Sequence, residues 1–176
     1  MDYDILIIGS GPGGYVAAIR ASQLKMKVAV VEKADIGGVC LNWGCIPTKS
    51  LLRSAQVYDD LKNAADYGIL AGGEPKADFA AIIARSRSVA EGMSKGVQFL
   101  FRKNNITLIR GKGRLAGGNS VEIEDGEGNK TIKNARHIIL ATGARSRELP
   151  GLKPDGKKII GYREAMSLPR QPASMV

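Results

Sequence analysis

The chain alternates between short unbroken apolar runs and longer stretches where apolar residues recur every three or four positions. Ile5-Leu6-Ile7-Ile8 and Val28-Ala29-Val30-Val31 are runs of the first kind, as in strands buried on both faces of a parallel sheet. Between them, Ala17, Ala21 and Leu24 fall at helical spacing within Tyr15 to Lys25, which predicts a βαβ unit whose two strands are parallel and adjacent. After Pro47, residues Leu51, Leu52, Ala55, Leu61 and Ala65 can share one broad helical face. Phe79, Ile82, Ile83, Val89, Met93, Val97 and Leu100 mark a second long helix, and Gly68 and Gly72-Gly73 break the pattern between the two. This predicts an antiparallel helix pair whose stripes serve internal packing. Ile106 to Ile109 reads as a strand. Val121 to Glu124 alternates, Asp125 to Asn129 is a turn, and Thr131-Ile132 resumes, giving a small hairpin or meander. Ile138 to Ala141 is again a buried strand, ending in Thr142-Gly143. The expected fold class is α/β: a doubly wound parallel sheet, with a long helical pair and a small antiparallel layer inserted before the last strand.

At 176 residues, with 44% hydrophobic and 24% charged residues, the chain suits one domain with a real core. Its longest apolar runs are too short to span a bilayer, so no membrane association is expected. The start, Met-Asp-Tyr-Asp, lacks the basic and long apolar regions of a secretory signal, and a cytoplasmic location is expected. The net charge of +9 raises nucleic-acid binding. The basic residues, however, are scattered from Arg20 to Arg170 without a long run or aromatic interleaving. No nucleic-acid partner is expected, and the excess suits an anionic cofactor or is balanced by acidic segments elsewhere. Two cysteines and one distant histidine cannot make a structural zinc site, so no metal is expected. Two close cysteines in a cytosolic chain suggest redox chemistry.

Gly9, Gly11 and Gly14 satisfy G-x-G-x-x-G, with Pro12 and Gly13 inside the loop. The string alone is weak. Here it follows a buried strand, opens a helix, and precedes Glu32 at the end of the next strand, which together make a dinucleotide-binding fingerprint. Gly9 allows the tight turn, Gly11 lets the backbone approach a pyrophosphate, and Gly14 permits close helix–strand packing. The helix start offers free N–H groups to phosphates, and Glu32 would accept hydrogen bonds from a ribose. The bland alternative is a glycine turn with no ligand, and the motif does not separate FAD from NAD. A second match, Gly111 to Ala116, is followed by Gly117-Gly118 and a β-patterned segment where a helix is required, and it reads as a turn.

Cys40 and Cys45 lie in Gly37-Gly38-Val-Cys40-Leu-Asn-Trp-Gly44-Cys45-Ile-Pro47-Thr-Lys49. Residues five apart on a regular helix are about 8–9 Å apart, beyond the reach of a disulfide. If these cysteines bond, the segment is not ideal helix, and Gly44 and Pro47 suit a distorted helix start. The alternative is two unrelated buried thiols.

Taken together, Gly9 to Gly14, Glu32, the Cys40–Cys45 segment and Ala141-Thr142-Gly143 resemble the pyridine nucleotide-disulfide oxidoreductase family, over nearly the whole chain. Within that family, Cys-Leu-Asn-Trp-Gly-Cys-Ile-Pro-Thr-Lys is most similar to the dihydrolipoamide dehydrogenase branch. Glutathione and mercuric reductases share the framework with a different wording. The loop from Glu32 to Cys40 is a residue shorter than in many relatives. The resemblance implies that the Gly9–Gly14 site binds FAD. It implies a redox disulfide in which Cys40 is the thiol that meets the dithiol substrate and Cys45 the one that faces the flavin. Lys49 resembles the lysine beside the flavin; a solvated lysine is the plain alternative. Thr142 and Gly143 resemble a second FAD contact, and Gly113 the glycine near the adenine. Lys33 and Gly38 join the expected FAD-binding residues. Residues 1–150 are then expected to be the FAD-binding domain and 151–176 a tail leading toward an NAD-binding domain. For the parent enzyme the resemblance implies electron flow from dihydrolipoyl groups of 2-oxo acid dehydrogenase complexes to NAD+, and a homodimer. No second Gly-rich motif opens a helix, and His137 is not in the family's catalytic His-Glu position; it reads as structural. The isolated chain is therefore not expected to sustain full turnover. A related disulfide reductase, or a flavin-holding module without turnover, are the competing readings.

Overall fold

The computed structural model describes all 176 residues. Strand β1 (Tyr3–Ile8) leads into α1 (Pro12–Gln23) and β2 (Val28–Glu32), then α2 (Gly38–Trp43) and α3 (Cys45–Lys62). A 3-10 turn at Ala64–Tyr67 precedes α4 (Phe79–Lys103). Strands β3 (Thr107–Arg110), β4 (Lys112–Leu115), β5 (Ser120–Glu124) and β6 (Lys130–Leu140) follow, and α5 (Tyr162–Ala165) lies in the tail. The chain forms two compact units. One comprises Met1–Asn42 and Glu91–Arg145, the other Trp43–Ala90 and Ser146–Val176.

The first unit is built on a six-stranded sheet of order β3-β2-β1-β6-β5-β4. β1 pairs in parallel with β2 and with β6, and β2 with β3. Every residue of β2 is buried, as its unbroken apolar run requires. Leu6, Ile8, Ala29, Val31, Val121, Ile123 and Ala135 form the core beneath the sheet. Each of the Leu, Ile and Val side chains among them contributes about 1.5–3 kcal/mol by leaving water.

The structure alters the expected layout at the antiparallel layer. Thr131-Ile132 and Ile138 to Leu140 are not separate strands: β6 runs through both. Its first residues pair antiparallel with β5, and Ala135 to Leu140 pair with β1. A strand can serve both directions because each of its edges carries its own ladder. His137 therefore sits inside a strand, opposite Ile5, rather than before one. The segment read as a turn at Gly111 to Ala116 contains β4, antiparallel to β5. It is still not a phosphate loop, since no helix follows it. Nor is β6 buried on both faces: Leu140 is exposed and Ile138 and Ile139 are half-buried. The hairpin turn is closed by Asp125, whose carboxylate accepts from the backbone N–H of Glu127 and Asn129. The Asn129 side chain, then those N–H groups, hold that carboxyl below its usual range.

Two long helices form, but α3 ends at Lys62, so Ala65 falls in the 3-10 turn rather than on its face, and the buried faces of both helices differ from expectation. On α4 the buried residues are Ser86, Ala90, Ser94, Val97 and Phe101, while Val89, Met93 and Leu100 are exposed. Small residues permit close approach, and the buried hydroxyls are satisfied: Ser86 donates to the Ile83 carbonyl and Ser94 to the Ile36 carbonyl. On α3, Pro47 and Ser50 are buried, whereas Leu52, Ala55 and Leu61 are exposed. In the second unit α3 runs antiparallel to the first turns of α4. Ser50 meets Arg85, while Val57, Leu61, Ala77 and Ile82 line one open groove. No helix is long and apolar enough to cross a membrane.

Candidate functional site

The carboxyl ends of β1, β2 and β6 lie side by side, where doubly wound sheets hold ligands. The loop leaving β1 is fixed by contacts only glycine survives. A Cβ on Gly9, whose φ is +105°, would stand 2.2 Å from the Ala141 carbonyl oxygen, and one on Gly14 1.9 Å from the Gly9 carbonyl oxygen. Gly14 thus seats α1 directly on the turn, and Gly9 seats the turn against the end of β6. Gly11 and Gly13 differ: a Cβ on Gly13 would meet nothing within 4 Å, and one on Gly11 only the Gly38 Cα at 4.0 Å. Open space therefore lies in front of the loop. Gly11 caps α1 without any side-chain hydrogen bond, and Pro12 occupies the first helical position. The Gly13 and Gly14 N–H groups have no partner within the helix. This is the donor set and positive helix end that an anion requires.

Glu32 is buried at the end of β2. One carboxylate oxygen accepts from the Ser10 backbone N–H at 2.8 Å and the Ser10 hydroxyl at 2.7 Å. The other accepts from the Ala34 N–H at 2.8 Å. A carboxylate has about four acceptor positions, so the second oxygen can still receive a ligand hydroxyl. Ser10 ties a further turn to the loop, since the Gly37 N–H donates to the Ser10 carbonyl at 3.0 Å. Gly38, at φ +62°, comes so near that its Cβ would stand 2.8 Å from the Gly11 Cα. Below this turn the Ile36 carbonyl accepts from Ser94 and from Asn42. Arg110 of β3 donates to the Ala34 carbonyl.

These partners were not foreseen. Ser10, an unassigned position in the glycine motif, is the pivot, and Asn42, Ser94 and Arg110 hold the turn that carries Gly38. A hydroxyl next to the fingerprint was the one available signal; the other three depend on tertiary approach. Lys33 is exposed beside Glu32. Thr142 and Gly143 follow β6 and are exposed; Gly143 has φ +72° and open space at its Cβ position. Gly113 has a packing role: its Cβ would press on Ile8 and Val31 at 3.2 and 3.3 Å, so glycine lets β4 pass over the ends of β1 and β2.

Cys40 lies half-buried on α2. Cys45 is the first residue of α3, after Gly44, whose φ of −144° and ψ of −113° break the helix. Both cysteines are disulfide-bonded, and they are the two in the chain, so they bond to each other. The interruption at Gly44 is the departure from ideal helix that a bond across this spacing demands. Lys49 is exposed on α3, one turn after Cys45 and on the same helical face. No group of residues is arranged to hold a metal ion.

The family described as pyridine nucleotide-disulphide oxidoreductase matches residues 3–176. The chain is 51% identical to a dihydrolipoyl dehydrogenase of Zymomonas mobilis over 174 residues, covering 99% of this chain and 37% of that protein. It is 48% identical to a dihydrolipoyl dehydrogenase of Rhizobium etli, covering 99% of this chain and 39% of that one. The crystal structure of LpdA from Mycobacterium tuberculosis superposes with a TM-score of 0.82 at 26% identity, over 93% of this chain and 37% of the other. The chain thus spans a little over a third of the length of these relatives.

Proposed function

Since the chain belongs to the pyridine nucleotide-disulphide oxidoreductase family, we propose that it is the FAD-binding, redox-disulfide part of a dihydrolipoamide dehydrogenase. The observation that carries this reading is the Cys40–Cys45 bond across an interrupted helix, in a chain whose β1 loop presents unpartnered N–H groups to open space. The loop of Gly9, Gly11, Pro12, Gly13 and Gly14 would hold the FAD pyrophosphate. Glu32 would hold the ribose, with Lys33 and Gly113 near the adenosine half. Gly38, Thr142, Gly143 and Lys49 would hold the remainder. Residues 1–150 would form the FAD-binding domain, with 151–176 leading toward an NAD-binding domain.

In the whole enzyme the reductant is a dithiol, a dihydrolipoyl group of a 2-oxo acid dehydrogenase complex. One substrate thiolate attacks Cys40 Sγ, and the Cys40–Cys45 bond breaks with Cys45 leaving as thiolate. The second substrate thiol, as its thiolate, then attacks the substrate sulfur of that mixed disulfide and expels Cys40, giving the oxidised lipoyl disulfide and two protein thiolates. Two electrons have moved, and the thiols' protons go to solvent or to a base. Bound FAD supplies the route by which that electron pair reaches NAD+. Cys45 starts a helix with a lysine one turn on, and both the helix dipole and the lysine favour its thiolate. We further propose that the enzyme is a homodimer working in the cytoplasm.

Calorimetric titration tests the cofactor assignment. The chain should bind FAD in preference to NAD+, and a preference for NAD+ overturns it. Peptide mapping without reductant should find one Cys40–Cys45 link, opened reversibly by a dithiol. A protein with two free thiols after air oxidation would exclude the redox role.

A further inference from the structure

The segment between the two cysteines carries the only tryptophan in the chain, Trp43 at the end of α2, and two arginines gather on it. The Arg87 guanidinium carbon lies 4.3 Å from the indole centroid and that of Arg163 lies 5.1 Å from it, both within cation–π range. Arg87 comes from α4 with one guanidinium nitrogen fully buried, and desolvation strengthens such a contact. Two residues earlier on α4, Arg85 donates to the Ser50 hydroxyl at 2.8 Å and to the Ser50 carbonyl at 3.2 Å. Ser50 is buried. Cys45 is thus bracketed along the chain by Trp43 and Ser50, each held by a guanidinium of the same helix.

The bracket matters most when the disulfide is open. While the bond exists, it closes the loop covalently. Once it is reduced, Gly44 leaves the backbone free to turn, and the short backbone tether keeps the thiols near each other while non-covalent contacts must hold them in register. We propose that Arg87 and Arg85 are positioning residues, which hold the 43–50 segment in place through the reduced state and so set the thiol–disulfide equilibrium of Cys40 and Cys45. The proposal rests on the redox reading of this pair. It does not depend on FAD. A dithiol held in register closes more readily, because less chain entropy is lost on closure. Loosening the bracket therefore makes the disulfide easier to reduce.

The test equilibrates the 176-residue protein with glutathione, where two glutathione thiols open Cys40–Cys45 and yield one glutathione disulfide. The closing constant should fall about five- to thirtyfold in Arg87→Met, the span of a cation–π contact of about 1–2 kcal/mol once it is desolvated. Arg87→Lys should recover part of the loss, Arg85→Met should fall less than Arg87→Met, and Trp43→Leu should fall at least as far. Should Arg87→Met fail to fold by circular dichroism, Trp43→Leu carries the same comparison. A melting temperature that drops while the closing constant stays within twofold of wild type would overturn the proposal, since packing alone predicts that result. If FAD fails to bind but the closing constant still shifts, the bracket stands and the flavin assignment falls. A wild-type disulfide that no thiol opens would end both.

Discussion

Helices α1 and α3 begin alike and are held differently. Each starts at a glycine with no side-chain cap, Gly11 for α1 and Gly44 for α3. The start of α1 is fixed by backbone against backbone: Gly14 rests on Gly9, and Gly9 on Ala141, with no room for a methyl group at either. The start of α3 is fixed by a covalent bond at Cys45 and by guanidinium contacts at Trp43 and Ser50. The difference fits the two tasks proposed for them. Donors for an anion must stay in place whatever the redox state, so they are built from parts that cannot change. A dithiol pair must open and close without its surroundings collapsing, so its support is partly removable and partly not.

The largest effect should come from Gly14→Ala. A Cβ 1.9 Å from the Gly9 carbonyl oxygen cannot be accommodated by a rotamer change, so α1 must move off the turn. We expect a loss of about 3 kcal/mol in chemical denaturation, together with loss of FAD binding. A fully stable variant would mean that backbone crowding does not set this helix start.

Glu32→Ala should rank next. It strips the Ser10 N–H, the Ser10 hydroxyl and the Ala34 N–H of their acceptor, and Ser10 is wholly buried. Leaving a buried donor unpaired costs about 1–3 kcal/mol, whereas Glu32→Gln, which keeps an acceptor oxygen, should cost less. Equal losses for the two would show that the charge, not the hydrogen bonds, holds the loop. Across the comparison, Cys40→Ser tests the other helix start. A disulfide closing so short a loop contributes about 2 kcal/mol. That loss should appear under oxidising conditions and vanish when variant and wild type are compared in excess dithiol.

The two helix starts were unequally legible in the sequence. The glycine turn could be read residue by residue, because a strand, a tight turn and a helix are local events and each glycine answers a local steric demand. Even there, the part played by Ser10 was hidden, since it acts on Glu32 and Gly37 across the fold. The redox segment could be read only as a conditional, bonded or not, until its wording was matched to a family. Whether two thiols meet depends on the path of the chain through Gly44. The bracket of Arg85 and Arg87 was invisible: spacing along α4 cannot say which face meets Trp43. The same limit explains the α4 stripe. Periodicity selected Val89, Met93 and Leu100, yet the buried face runs through Ser86, Ala90 and Ser94, because close approach favoured small residues whose hydroxyls could be satisfied.

The smallest effect on stability, and the sharpest test of the contrast, belongs to Gly11→Ala. Gly11 has φ −66° and ψ −178°, a conformation any residue adopts, so alanine brings no backbone strain. Its Cβ would meet only the Gly38 Cα, at 4.0 Å, which is ordinary contact. Replacing glycine at such a site lowers the entropy of the unfolded chain and is worth about 0.4–1 kcal/mol in favour of folding. Stability should thus be unchanged or slightly raised, the opposite sign from Gly14→Ala three residues on. FAD affinity should nevertheless fall, because the new methyl group would occupy the space through which a pyrophosphate reaches the Gly13 and Gly14 N–H groups. Parallel denaturation and FAD titration of Gly11→Ala and Gly14→Ala would separate a glycine kept for the fold from one kept for the ligand. If Gly11→Ala bound FAD as tightly as wild type, the open space before the loop would not be where the phosphates sit.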